Sequence, residues 1–168
     1  MEDIYLTSSG KRKYMNDFIN NVLSFNKIEF WKLDEGLPAI LAGINTNDHV
    51  QTLYSKRPSY KNPDSYPLSY LELCYTVEIE LCLFREFIPS LFLSVDPEPE
   101  ARLYYLFDWP RPNLNYSCDS TPLGLGCIDD ENYFNINTLK INLESYSEDI
   151  HSVFWKIVEK SLTKIEPY

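Results

Sequence analysis

Few residues of this chain have the types and spacing that enzymatic catalysis requires. Its two histidines are His49, in a predicted loop, and His151, on the polar side of a predicted helix. Both are interpreted as solvated side chains rather than as general bases. The sequence has no glycine-rich phosphate loop, HExxH motif or GxSxG motif, although carboxylate pairs that act together follow no spacing rule. It therefore predicts no catalytic residue and a protein that is not an enzyme.

Candidate metal ligands are equally sparse. Asp129, Asp130 and Glu131 are consecutive, so they cannot all face one ion, and the spacing of an EF-hand is absent. The four cysteines form no CxxC pair, which disfavours a structural zinc site. They are Cys74, Cys82, Cys118 and Cys127. The first residues, MEDIYLTSSGKRKY, show no secretory signal, so we expect a cytoplasmic protein with free, buried thiols and with no metal or other cofactor.

Charge is distributed unevenly along the chain. The 168 residues include 25 acidic and 15 basic side chains, for a net charge of −10. Residues 1–67 balance, whereas residues 68–150 hold fifteen acidic side chains against four basic ones. Such acidity can serve solubility alone, but it also repels nucleic acid and anionic lipid and attracts a basic protein. We therefore expect a basic protein partner, and neither nucleic acid nor a membrane.

Three of these acids are held between prolines in the segment VDPEPEARLYYLFDWPRP, residues 95–112. Both prolines of DPEPE lack an amide hydrogen and fix φ at about −65°. The segment is therefore stiff and cannot extend the hydrogen-bond ladder of a sheet. We predict that it forms the tip of a hairpin between the strands Leu91–Val95 and Ala101–Trp109. Tryptophan is frequent at interface hot spots, although Trp109 also suits a core position. The predicted partner-binding residues are Asp96, Glu98, Glu100, Asp108, Trp109, Asp129, Asp130 and Glu131.

The periodicity of the sequence predicts the elements of the first third of the chain. Apolar residues recur at intervals of three and four over residues 9–25, which predicts an amphipathic helix. Two short strands are predicted next, Lys27–Leu33 and Leu37–Ile44, with DEG as the turn between them. Residues 45–69 alternate prolines and tyrosines without an apolar period and are predicted to form a long surface loop.

The segment SYLELCYTVEIELCLFREF, residues 69–87, fits two periods. We predict a strand, because its glutamates would share one face of a strand and would scatter around a helix; a helix is the alternative. Residues 110–131 are predicted to be irregular, and Tyr133–Leu143 to form a strand at an edge of the sheet. A final helix is predicted after the capping box Ser145-x-x-Glu148, with Phe154 on its buried face.

The length of the chain suits a single domain. At 168 residues it can bury about two thirds of its unfolded surface. The order of the elements predicts a mainly antiparallel sheet with the N-terminal and C-terminal helices packed on it. The fold class is therefore predicted to be α+β, in one domain over residues 1–168.

A small acidic α+β chain with carboxylates concentrated in DPEPE and DDE, and with no catalytic motif, resembles the immunity proteins of bacterial toxin–immunity systems, including contact-dependent growth inhibition. The resemblance is one of general character over the whole chain and rests on no diagnostic motif. It implies an intracellular protein that neutralises one cognate toxin domain, often a nuclease, in a 1:1 complex by covering its active site. A nuclease needs a cationic cleft for phosphates, and a fixed array of carboxylates can fill that cleft.

Two other functions fit part of the same pattern. An acidic protein from phage or plasmid that mimics nucleic acid would share the negative surface. The balanced first third of the chain and its basic loop at Lys56–Lys61 suit that function less. A metal-dependent enzyme would use Asp108, Asp129, Asp130 or Glu131 as ligands.

Overall fold

Four strands form one antiparallel sheet in this protein, whose computed structural model describes residues 7–14, 34, 36–59, 67–96, 112–123 and 134–168. The strands are β1 (Val50–Lys56), β2 (Leu68–Tyr75), β3 (Asn113–Leu123) and β4 (Phe134–Glu144), in the order β1-β2-β4-β3. The helical segments of the described residues are α1 (Ser8–Tyr14), α2 (Leu37–Asn45), α3 (residues 77–95) and α4 (Glu148–Lys164). The predicted α+β fold class is confirmed.

One face of the sheet carries the hydrophobic core. On this face Leu71 of β2 pairs with Ile141 of β4, and both side chains are fully buried. On the opposite face Glu72 pairs with Lys140, one residue further along each strand. Because side chains alternate between the two faces of a strand, the apolar period of β2 and β4 decides which face is buried. The helices contribute these fully buried side chains to the same core: Leu37, Ile44, Leu83, Leu91, Phe154, Val158 and Leu162.

The segment predicted as one strand over residues 69–87 is a strand followed by a helix. β2 ends at Tyr75, Thr76 is extended with φ −80° and ψ 151°, and α3 begins at Val77. The strand period belongs to β2 and the helical period belongs to α3, so each of the two periods in the sequence describes one part of the segment. The prediction of a strand is correct up to Tyr75 and wrong after it.

α3 changes its helical type along its length. It comprises a 3₁₀ turn (Val77–Ile79), an α-helical turn (Glu80–Cys82), a π-helical turn (Leu83–Phe87) and a final α-helical part (Ile88–Val95). The predicted strand Leu91–Val95 is therefore wrong. Pro89 lies just after the π-helical turn, and a regular α-helix would bring its ring against the carbonyl of the preceding turn. Local widening of a helix is a known way to accommodate such a residue.

The predicted strand Leu37–Ile44 is also helical, since it lies within α2. Gly36 has a left-handed φ of 82° and leads the chain into the helix, and Pro38 occupies the first turn, where proline is favoured. The run LPAILAGI is short and apolar, and such a run fits a buried strand and a buried helix equally well. The hairpin predicted here is therefore wrong in its second strand.

α1 is the beginning of the helix predicted over residues 9–25. Its last described residue is Tyr14. The rest of that helix and the predicted strand Lys27–Leu33 lie outside the described residues.

Two segments predicted as loops contain strands. β1 lies in the predicted loop 45–69, and a register shift between Thr52 and Tyr54 interrupts its alternation. β3 lies in the segment predicted to be irregular, and its residues 115–120 are exposed on both faces, so it has no apolar period. The predicted strand Tyr133–Leu143 is confirmed as β4, but it lies between β2 and β3, so the prediction of an edge strand is wrong.

α4 confirms the predicted C-terminal helix. The N-cap is Ser147, whose hydroxyl accepts a hydrogen bond from the backbone N–H of Ile150 at 3.4 Å, and not Ser145. Phe154 is fully buried, as predicted. His151 is fully buried too, so its prediction as a solvated side chain is wrong.

The turn between α2 and β1 holds the C-terminal end of α4. Asn47 in this turn donates from Nδ2 to the carbonyl oxygens of Leu162, Thr163 and Ile165, at 3.1, 3.4 and 2.8 Å. The last carbonyls of a helix have no partner within the helix, so this amide supplies one from outside. The Asn47 side chain therefore connects the C-terminal end of α4 to the turn before β1, which is an edge strand of the sheet.

We expect Asn47→Ala to lower the free energy of unfolding by about 1–2 kcal/mol, because the carbonyls at the end of α4 lose their donor. Urea denaturation followed by circular dichroism measures this change. Thr46→Ala is the neighbouring control, since the Thr46 hydroxyl is exposed and donates locally to the carbonyl of Gly43. A midpoint for Asn47→Ala equal to that of the control would contradict the capping role.

Candidate protein-interaction surface

Of the eight predicted partner-binding residues, the structure describes only Asp96. It directly follows α3, and its backbone N–H donates to the carbonyl of Phe92 at 2.8 Å. Because a helix precedes Asp96, the predicted hairpin tip is wrong on its N-terminal side. The other seven residues lie outside the described residues, and their part in binding stays a prediction. They are Glu98, Glu100, Asp108, Trp109, Asp129, Asp130 and Glu131.

Four aromatic side chains from β2, α3 and β3 form a row, which we call the aromatic row: Tyr75, Phe84, Tyr116 and Phe92. The ring centre of Phe84 lies 6.1 Å from that of Tyr75 and 6.3 Å from that of Tyr116, and Phe92 lies 6.0 Å from Tyr116. The first and last of these pairs meet edge to face, at 75° and 83°, which is a favoured arrangement. Tyr116 is 44% exposed, so the row reaches the surface.

One end of the aromatic row lies beside an exposed carboxylate, Glu80 in the first turns of α3. Burial raises the pKa of Tyr75, and the negative charge of Glu80 adds to the rise. Burial also raises the pKa of the Cys118 thiol, with further contributions from Asp119 and Glu80. Glu80 therefore acts electrostatically on one side chain of β2 and one of β3.

Asp96 marks the opposite end of the row. It lines a cavity of about 360 Å³ together with Phe92, Pro112, Asn113 and Leu114, where the end of α3 meets the start of β3. Sixteen positions of helical chain separate Glu80 from Asp96, which is a length of roughly 24 Å. An exposed aromatic centre with a carboxylate at each end is suited to a protein surface that carries apolar and basic groups.

The polar face of the sheet carries charges that pair with one another. Lys140 Nζ lies 3.9 Å from Glu72 Oε1 and 3.7 Å from Asp119 Oδ2. The Tyr70 hydroxyl donates to Glu72 Oε2 at 2.5 Å, and burial together with this carboxylate raises the pKa of Tyr70. A partner would have to separate these groups before it could bind them.

A buried serine–histidine pair has the distance of a nucleophile and its base. Ser69 Oγ lies 2.7 Å from His151 Nδ1, and both side chains are fully buried. His151 Nε2 lies 2.7 Å from the carbonyl oxygen of Ser145, so Nε2 carries the proton and Nδ1 accepts from Ser69. Trp155 Nε1 donates to the same serine oxygen at 3.0 Å. These hydrogen bonds hold the Ser69 hydroxyl within the core. Ser69 and His151 therefore stabilise the packing of the core and are not accessible to a substrate.

His49 and the cysteines differ from their predictions in part. His49 is half-buried, and its Nδ1 lies 2.7 Å from Thr76 Oγ1, so it connects the turn before β1 to the start of α3. Cys74 and Cys82 are free and buried, as predicted, whereas Cys118 on β3 is free but exposed. The fourth cysteine lies outside the described residues.

Among the residues that the structure describes, no three His, Cys, Asp or Glu side chains are grouped so that they could hold a metal ion. None of the helices in this described part of the chain is both long and apolar enough to cross a membrane.

The aromatic row was not predicted from the sequence. Its members come from two segments assigned to strands and from one assigned to a loop, and no spacing along the chain connects Phe84 to Tyr116. The available signal was the aromatic content, 15% of the chain, which does not indicate which aromatic residues meet. Comparison of the chain with protein-family models, with curated proteins and with solved structures gives no match, so the geometry alone bears on function.

Proposed function

We propose that this protein is an immunity protein, which binds a basic toxin domain in a 1:1 complex and covers its active site. The observation that carries the proposal is the aromatic row with Glu80 and Asp96 at its ends. The sign of the surface supports it, because the described part of residues 68–150 holds nine acidic and two basic side chains. A toxin that cleaves nucleic acid presents cationic groups in its active site, and this surface would attract them.

The positions of the two acids favour binding without a large loss of entropy. Glu80 lies on a helix, and Asp96 directly follows the same helix, so their spacing is set by α3. Ordering flexible side chains and loops opposes association, and a surface that is already ordered avoids part of this cost. The row between the acids supplies the apolar and aromatic area that dominates interface energetics. Glu98 and Glu100, which follow Asp96 in the chain, stay predicted members of the same surface.

The described surface fits a nucleic-acid mimic less well. A mimic needs carboxylates in a regular array that copies phosphates, without cations among them. On the polar sheet face Lys140 lies between Glu72 and Asp119. On α3 the exposed Arg85 follows Glu80 and precedes Glu86.

The test begins with affinity capture by the tagged protein from cells that express it naturally, followed by purification of the captured protein. We expect a basic protein whose enzymatic activity is lost when one equivalent of this protein is added. Glu80→Gln with Asp96→Asn should slow association and flatten its salt dependence, since the acids steer the partner. Tyr116→Ala should weaken the complex roughly tenfold or more, because it removes the exposed aromatic centre.

The matched control is Glu159→Gln with Glu166→Gln, which removes the same charge from exposed positions in and after α4. It should leave the affinity unchanged and alter the association rate only slightly. The proposal is contradicted if the captured protein keeps its activity in the complex. It is also contradicted if the control pair weakens binding as much as the Glu80 and Asp96 changes do.

A further inference from the structure

The two edges of the sheet differ in how they discourage pairing with another strand. β1, at one edge, has seven residues, a register shift between Thr52 and Tyr54, and an exposed lysine, Lys56, at its end. A short strand, an irregular register and an edge lysine are the features by which sheets prevent unwanted strand addition. This edge is therefore protected.

β3 lies at the other edge of the sheet formed by the described strands and lacks these three features, although Pro122 near its end offers no backbone N–H. Its eleven residues pair with β4 in one unbroken register, from Asn113 opposite Glu144 to Leu123 opposite Phe134. It has no lysine or arginine, and Asp119 is its one charged residue. The six residues from Asn115 to Ser120 are all exposed, and of these Tyr116 also packs against Phe84 and Phe92 of α3. Because backbone groups alternate along a strand, every second residue directs its N–H and C=O away from β4.

We propose that β3 accepts a strand from the basic partner, which extends the sheet by one strand beside the aromatic row. This inference rests on the proposed function, because it assigns the place on this protein where the toxin binds. Strand addition derives its affinity from main-chain hydrogen bonds and its specificity from alternate side chains. The long, regular edge of β3 supplies the main-chain groups for these hydrogen bonds.

The two faces of β3 define the side chains that the added strand should carry. One face has Leu114, Tyr116 and Cys118 and adjoins α3, so alternate residues of the partner strand should be apolar. The other face has Ser117 and Asp119, so the residues between them should be polar or basic. The expected partner segment is extended, with apolar residues at every second position and lysine or arginine among the rest.

Charge favours a partner of this kind over a second copy of the chain. Each copy has a net charge of −10, and antiparallel pairing of two β3 strands would bring two such surfaces together. A basic strand instead approaches Glu80 and Asp96 at the ends of the aromatic row. On the other face it approaches Asp119, which is 58% exposed and shares the single charge of Lys140 with Glu72. The occupant is therefore assigned to a basic protein.

Proline substitution tests the proposal, because it removes a backbone N–H without changing the charge. Ser117→Pro and Cys118→Pro are made as a pair, since the N–H of one points towards β4 and that of the other points outwards. The variant with the wild-type melting temperature has lost only the outward N–H, and it is the informative one. Ser117→Ala and Cys118→Ser are the controls, because they change the same side chains and keep the amides.

The probe is an eleven-residue peptide that alternates valine and lysine, and amide hydrogen exchange is measured with and without it. We expect the peptide to slow exchange at alternate amides of β3 and to leave β1 unaffected. The folded proline variant should bind the peptide roughly tenfold more weakly or worse, and the controls should bind as the wild type does.

Several outcomes would overturn the assignment. Unchanged exchange in β3, or a folded proline variant with wild-type affinity, shows that no strand is added. A dimer of the free protein that the proline variant dissociates assigns the edge to a second copy instead. If Glu80→Gln with Asp96→Asn weakens inhibition of the toxin while the folded proline variant inhibits it fully, the proposed function stands and strand addition does not.

Discussion

Replacing Lys11 by methionine should lower the free energy of unfolding by about 3 kcal/mol, although methionine retains most of the apolar length of the side chain. Lys11 is on α1 and is only 2% exposed. Its ammonium group donates to three backbone carbonyls, those of Asn45 at 2.8 Å, of Val50 at 2.6 Å and of Asn47. Methionine offers no donor, so all three carbonyls would lose the ammonium group at once, and the one of Val50 is buried.

The ammonium group acts as a cap for α2 as well as an anchor for α1. The carbonyl of Asn45 belongs to the last residue of α2, and a cation near the C-terminal end of a helix is favoured by the helix dipole. Burial lowers the pKa of Lys11 to about 8, and the charge of Asp48 opposes this shift. The side chain is therefore still protonated at neutral pH, and its three hydrogens match the three carbonyls.

Arg12→Met provides the matched control, one residue further along α1. Arg12 forms an ion pair with Asp48 at 2.9 Å, but the two side chains are 55% and 44% exposed. Exposed pairs contribute little, so this change should cost less than about 1 kcal/mol. Chemical denaturation gives both values, and amide exchange over residues 7–14 reports whether α1 has come loose. Equal costs for the two changes would show that the buried contacts of Lys11 contribute nothing beyond a surface charge.

The elements that the sequence predicts correctly have one buried face each. β4 alternates buried Leu139, Ile141 and Leu143 with half-buried polar residues, and α4 buries Phe154 and Val158 four positions apart. Burial of a single face imposes a period on the sequence, and the period identifies the element. The same reasoning locates β2 and fails at Thr76, because nothing in an alternating pattern indicates where a strand gives way to a helix.

β3 and α2 are missed for opposite reasons. The exposed part of β3 has polar residues on both faces, so its extended conformation follows from pairing with β4 rather than from its own pattern. α2 is a short apolar run whose composition fits either element, and only Gly36 and Pro38 before and within its first turn favour the helix. Tertiary contacts decide both cases, and a single sequence does not contain them.

The candidate site shows the same limit. The acidity around Asp96 is visible in the sequence, as is the presence of an aromatic run after it. The neighbours that give Asp96 a defined surface, Phe92 and Tyr116, come from α3 and from β3. These two residues belong to elements that lie apart in the sequence, so no local rule predicts their contact. Charge and composition are therefore predictable at this site, and its geometry is not.

The second large effect is expected from His151→Ala, which should lower the free energy of unfolding by about 3 kcal/mol at pH 7.5. The change leaves a cavity in the core and removes the acceptor for the Ser69 hydroxyl and the donor for the Ser145 carbonyl. Trp155→Phe is a milder change at the same place, because it removes only the N–H that donates to Ser69 Oγ. Trp155→Phe should lower the free energy of unfolding by about 1 kcal/mol. Its difference from His151→Ala separates the contribution of one hydrogen bond from that of the His151 side chain and its contacts.

His151 also makes the fold sensitive to acid. Burial lowers the pKa of His151 below its ordinary value of 6.5, and the positive charge of Arg57 acts in the same direction. Backbone contacts at Ser145 and Pro67 oppose the shift without cancelling it. Below about pH 6.5 the unfolded chain takes up a proton that the folded protein does not, so the unfolded state binds more protons. The contribution of His151 to stability is therefore complete above about pH 6.5 and is lost as the pH falls below it, with a slope that approaches 1.4 kcal/mol per pH unit.

His151→Gln isolates this contribution, since glutamine keeps one donor and one acceptor but has no proton to gain in this range. Unfolding free energies of the wild type and the variant are measured from pH 8 to pH 5, and their difference is plotted against pH. We expect this difference to be constant above about pH 6.5 and to shrink below it, because only the wild type loses stability through residue 151. His49→Gln is the control, as it removes the other histidine of the chain. If the acid-dependent difference follows His49 and not His151, the buried network is not the pH-sensitive element of the fold.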